Sequence, residues 1–127
     1  MSQAILWQRV EAAIIFVVGL ALFRHWNDAM EWWAALLIFF APDLSFFGYL
    51  WGPKVGAAVY NVLHVYAAGA AMVALGLILP LHDLTLVGAL WLAHSGFDRM
   101  LGYGLKLPDG FAFTHLGRIG KQDERRS

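Results

Sequence analysis

The sequence predicts an all-α integral membrane protein, and three observations carry that reading. Hydrophobic residues make up 60% of the 127 residues and charged residues only 14%, too little charge to cover a water-soluble domain of this size. The apolar residues gather in four runs of about twenty, the length a helix needs to cross the ~30 Å hydrocarbon core of a bilayer. Polar or turn-forming stretches separate the runs. The expected architecture is a single membrane domain, 1–127, of four transmembrane helices in a compact bundle. The spans fall at about 4–23, 32–51, 55–79 and 84–105, with a short interfacial segment and tail over 108–127.

The first span rests on the unbroken apolar run Ala12–Phe23, extended backwards by Ile5, Leu6 and Trp7. A signal peptide is the rival reading. The charge placement fits one poorly and no convincing small-x-small cleavage site precedes Arg24, so a retained helix is expected. Arg24–Glu31 is a polar loop. The second span, Trp32–Trp51, has aromatic residues at both ends, as interfacial belts do. Pro42 lacks an amide and clashes with the preceding turn, so a break is expected near it. Gly52-Pro53 marks a turn. The third span, Val55–Leu79, is rich in Gly and Ala, which let helix backbones approach closely and suit a homo-oligomer. Pro80–Asp83 reads as a tight loop, and Leu84–Leu105 as the fourth span. Phe111–Gly117 is too short to cross and reads as interfacial or re-entrant.

Lysine and arginine placement sets the orientation. Arg118, Lys121, Arg125 and Arg126 put the C-terminus in the cytoplasm, and four spans put the N-terminus there with Arg9. The expected location is a bacterial inner membrane. The formal net charge is zero and no basic arm precedes the spans, so nucleic acid is not an expected partner and membrane lipids are. The absence of cysteine excludes disulfides, thiolate metal sites, iron–sulfur clusters and covalent c-type haem.

Charge inside a membrane span is costly and tends to be kept for a function. His94–Gly104, at the end of the last run, holds a His, an Asp and an Arg. At about 1.5 Å of rise per residue, Asp43 lies ~16 Å from the outer face, His94 ~15 Å and Asp98 ~21 Å, while His64 lies ~16 Å from the inner face. Three spans thus bring polar groups to a similar depth, and Glu11 is a further candidate from the first. His94 and Asp98 are four apart on one helical face, and Asn61 and His64 three apart on another. Imidazole and carboxylate suit zinc, iron or manganese. Asp43, His64, His94 and Asp98 are therefore candidate ligands of a divalent metal, with His115 a fifth. Arg99, Asn61 and Tyr103 are candidates for holding substrate, Arg99 through paired donors to a lipid phosphate near the inner headgroups. The same residues also suit structural roles: hydrogen bonds between helices, snorkelling of Arg99 and Lys106, and capping by Asp43. Gly102-Tyr103-Gly104 matches a potassium filter in only three residues and suits a helix end better.

Pro42-Asp43-Leu44-Ser45 with Gly48-Tyr49, Tyr60-Asn61 with His64, His94 through Lys106, and Thr114-His115-Leu116-Gly117 with Gly120 together resemble a bacterial family of small membrane proteins. It is catalogued as domain-of-unknown-function family 4260. The resemblance runs over nearly the whole chain. It implies a helical integral membrane protein and brings no activity, substrate or cofactor with it. A looser similarity, to membrane-bound metal-dependent hydrolases, rests on Pro-Asp and His…His/Asp patterns. The leading functional expectation is a metal-dependent hydrolase or lipid-modifying enzyme. The alternatives are b-type haem binding by His64 and His94, a small transporter or proton relay, and a non-enzymatic structural subunit.

Overall fold

The structure is a computed structural model and describes residues 2–106, 113–114 and 116–118. Five α-helices and one 3-10 helix account for nearly all of it. They are α1 (Gln3–Trp26), α2 (Trp32–Phe40), the 3-10 helix Ala41–Trp51, α3 (Pro53–His64), α4 (Tyr66–Ile78) and α5 (His82–Met100). A two-residue antiparallel ribbon, β1 (Phe113–Thr114) with β2 (Gly117–Arg118), follows.

α1 begins at a serine cap, Ser2 Oγ accepting from the Ile5 amide at 3.2 Å. Only Ala12 and Gly19 along it are buried. Trp7, Ile14 and Val17 face outward, as lipid-facing side chains do. α5 is the opposite case. Ten of its residues are buried, from Thr85 to Arg99, because it packs against α1, α4 and α2. α1 and α4 both run antiparallel to α5 along seams of small residues. At Gly96, a Cβ would come within 2.7 Å of the Ala12 carbonyl and 2.5 Å of the Phe16 amide. At Gly88 it would meet the Val73 amide at 2.6 Å. Backbone approach this close replaces the hydrophobic effect as glue where the solvent is itself apolar.

The second span departs from α-helix where its proline requires. Ala41 already donates back only three residues, to Ile38, and Pro42 has no amide to continue the ladder. The chain then stays 3-10 for eleven residues, well beyond the usual run. Its three-residue period sorts the side chains. Pro42, Ser45 and Gly48 form the buried row, while Leu44, Phe47 and Leu50 form an exposed one. Gly48 lets this helix lie against Val59 of α3.

The third span is not one helix. It breaks at Val65, whose ψ of 148° is extended, and α3 and α4 meet at a bend of 46°. The expected single span Val55–Leu79 is corrected to this pair. The expected loop Pro80–Asp83 also shortens, since α5 starts at His82 and ends at Met100 rather than Leu105. That end is a glycine cap. Gly102 takes φ 96°, and the Tyr103 amide donates to the Asp98 carbonyl at 2.9 Å. Arg9 Nε of α1 donates to the Met100 carbonyl at 2.9 Å. At the other end, His82 Nε2 lies 3.3 Å from Asp28 Oδ1, which brings the α1–α2 and α4–α5 loops together.

Among the described residues, two helices are long and apolar enough to cross a membrane, Gln3–Trp26 and the continuous stretch Trp32–Trp51. The bent pair α3–α4 makes a third if it counts as one span. α5 is not in that set. It carries Asp83, His94, Asp98 and Arg99 within nineteen residues.

The Gly96 seam is testable. Gly96→Ala forces α1 away from α5 and is expected to lower stability by about 1–3 kcal/mol in detergent unfolding titrations. An unchanged unfolding midpoint would contradict close packing there.

Candidate metal centre

The two helix irregularities lie beside the same place. Asp43 follows Pro42 at the start of the 3-10 helix, and His64 is the last residue of α3, before the break. Both turn toward the C-terminal half of α5, where His94 and Asp98 occupy one face a turn apart. One donor atom from each of Asp43, His64, His94 and Asp98 lies within 4.8 Å of the other three.

The individual separations are more telling. His94 Nε2 is 3.1 Å from Asp43 Oδ1, 3.2 Å from Asp98 Oδ2 and 3.3 Å from His64 Nε2. His64 Nε2 is 3.4 Å from Asp98 Oδ2 and 3.6 Å from Asp43 Oδ1. Tetrahedral nitrogen and oxygen donors around a zinc-like ion, with bonds of about 2.0–2.1 Å, stand about 3.3–3.4 Å apart. The buried group could therefore hold a metal ion.

His64 is preset for that task. A carbonyl can only accept, so Nδ1, 2.9 Å from the Tyr60 carbonyl, carries the ring proton. In the neutral ring Nε2 presents its lone pair to the cluster, the usual arrangement for a ligating histidine. The ring also stacks on Tyr60 at 3.8 Å between centroids, 6° from parallel. The Tyr60 hydroxyl donates to Asp98 Oδ2 at 3.3 Å, so one residue orients two members of the group. His94 is held differently. The edges of Phe39 and Phe40 fix its ring, and Nδ1 is buried without a hydrogen-bond partner.

Access is one-sided. The side chains of His64 and His94 are 2% and 0% exposed and that of Asp98 15%, whereas Asp43 is 47% exposed. The cluster is thus reached past Asp43, whose neighbours Phe40 and Leu44 are exposed and apolar.

The other candidate residues have defined places. Asn61 is joined to the segment after α5, its Nδ2 donating to the Lys106 carbonyl at 2.8 Å and its Oδ1 accepting from the Lys106 amide at 2.6 Å. Arg99 is held within the protein. It is 9% exposed, its Nη2 donates to the His64 carbonyl at 2.9 Å, and its guanidinium lies over the Tyr66 ring at 4.6 Å. Tyr103 is exposed, just past the glycine cap. Glu11 is not among the four clustered residues. His115 lies outside the described residues.

Three participants were not singled out from the sequence as site residues. Tyr60, four before His64, shares its helical face, and that spacing was the available signal. Trp91 donates through Nε1 to the Leu63 carbonyl at 2.8 Å, which depends on a break no local residue announces. Lys106 is buried with its ammonium 4.9 Å from the centre of the Tyr60 ring, and burial pushes its pKa down to about 8 against the opposing pull of Asp98.

Asn61→Ala removes both bonds to Lys106. The expected result is a loss of about 1–3 kcal/mol and faster amide exchange at Leu105 and Lys106, read by hydrogen–deuterium exchange. Unchanged exchange there would show that Asn61 does not anchor the segment.

No curated protein and no solved structure matches the chain. A family model does, over residues 5–119, and it covers all but the first two residues of α1, the whole of α2 to α5 and all four clustered residues. The chain belongs to the family described as a domain of unknown function, DUF4260.

Proposed function

We propose that this protein is a membrane metalloenzyme that binds one divalent cation, zinc, iron or manganese, through Asp43, His64, His94 and Asp98, and hydrolyses or otherwise modifies a membrane lipid. The observation that carries the proposal is the spacing of the donor atoms. Five measured separations fall between 3.1 and 3.6 Å, drawn from three separate helices. A divalent cation there supplies Lewis acidity toward water and an ester or phosphoryl oxygen. His64 and Asp98 enter that role already oriented by Tyr60. Asp43 is the ligand on the open side. Substrate approaches past it, between Phe40 and Leu44, which favours a molecule with an apolar body.

The same proposal takes α5 as a fourth crossing, with both termini in the cytoplasm. Its antiparallel packing between α1 and α4 supports this, as does its burial. A helix wrapped by protein does not need the apolarity of one that faces lipid.

Two other readings have less support. A haem iron between His64 and His94 needs their nitrogens roughly 4 Å apart across a flat macrocycle, twice a metal–nitrogen bond. Here they are 3.3 Å apart, with two carboxylates alongside. A proton relay is favoured by one observation, the unpartnered Nδ1 of His94, since ligating histidines almost always donate that proton.

Elemental analysis of the purified chain tests the proposal. Roughly one transition metal per chain is expected, with most of it lost in His94→Ala and in Asp98→Asn. A metal-free wild type, or equal metal content in His94→Ala, would remove the metal from the account and leave the relay.

A further inference from the structure

We infer that Trp91 and Arg99 of α5 are positioning residues that hold the α3–α4 break open and thereby aim His64 at the cluster. This rests on the metal-site reading for its functional meaning, but the mechanical part stands on its own geometry.

The break has no local cause. Residues Asn61–Ala68 contain neither proline nor glycine, the usual sources of a sharp bend. In an unbroken helix the Leu63 and His64 carbonyls would accept from the amides of Ala67 and Ala68. Here the Ala68 amide donates to Val65 instead, at 3.1 Å. Two of the released carbonyls accept from side chains of α5. Trp91 Nε1 donates to Leu63 at 2.8 Å and Arg99 Nη2 to His64 at 2.9 Å. A released carbonyl buried in an apolar interior costs free energy unless a donor meets it. The bent form is therefore favoured where those two donors stand. Arg99 also covers Tyr66, the first residue of α4, with its guanidinium. It thus grips the chain on both sides of Val65.

The consequence falls on His64. The Tyr60 carbonyl holds its ring from within α3, and the Arg99 guanidinium holds its backbone from α5. α5 also presents His94 and Asp98. One helix therefore carries two members of the cluster and the clamp that places a third.

Two readouts separate the clamp from the metal. The chain has no cysteine, so spin-label pairs are introduced directly, here at Lys54 and Leu77 on either side of the bend. In wild type the interspin distance is expected to be narrow. In the double variant Trp91→Phe with Arg99→Met it broadens and lengthens as α3 and α4 straighten. The second readout is cobalt(II) binding followed by its visible spectrum. Each single variant is expected to weaken cobalt(II) about 10-fold and the double about 100-fold, with altered bands, while Arg99→Lys recovers part of the loss. Leu86→Ala, a buried truncation toward the other end of α5, lowers thermal stability and leaves the spectrum unchanged. An unchanged spin-label distance in the double variant overturns the clamp, whatever cobalt(II) does. A straightened double variant that binds cobalt(II) as wild type does overturns its role in aiming His64. If wild type binds no cobalt(II) while the double variant straightens, the metal reading fails and the clamp holds.

Discussion

Charge buried in an apolar interior has to be neutralised where it lies, and the rest of this structure is arranged around that requirement. Asp43 and Asp98 bring two carboxylates to one cluster, and the two histidines beside them are almost wholly buried. Two negative charges in such a place call for two positive ones within a few ångströms. The proposed divalent cation would bring both to one point among the four side chains. Five of the six donor separations, at 3.1 to 3.6 Å, match what such a cation would need.

The helices deform to meet that requirement. Regular α-helix runs through α1 and α5, the elements that define the seam. Each neighbouring span loses its regular α-helix at the cluster. Pro42 turns the second span into a 3-10 helix, and the row Pro42, Ser45, Gly48 seats it against the protein while Asp43 turns inward. Val65 breaks the third span directly after His64. Irregular backbone in a membrane protein is tolerated where protein buries it and donors satisfy it. Trp91 and Arg99 are those donors at Val65.

Much of this was legible in the sequence, and the reasons differ by element. Apolar length located the helices, and Pro42 announced its own break because a missing amide has a local consequence. The depth of Asp43, His64, His94 and Asp98 could be counted from helical rise, and the structure brings those four side chains together. The break at Val65 was not legible. It depends on donors twenty-six and thirty-four residues further on, and nothing between Asn61 and Ala68 forecasts it. For the same reason the contacts of Arg99 with the His64 carbonyl and the Tyr66 ring could not be read from a lone arginine near a helix end. The 3-10 character of Ala41–Trp51 left a faint trace in the three-residue period of Leu44, Phe47 and Leu50, which a helical reading absorbs without notice.

X-ray absorption at the metal edge of the zinc-loaded protein tests the central claim most directly. The account predicts a shell of nitrogen and oxygen donors at about 2.0–2.1 Å, with the outer-shell scattering of two imidazole rings. A spectrum with oxygen donors alone and no imidazole scattering would contradict it.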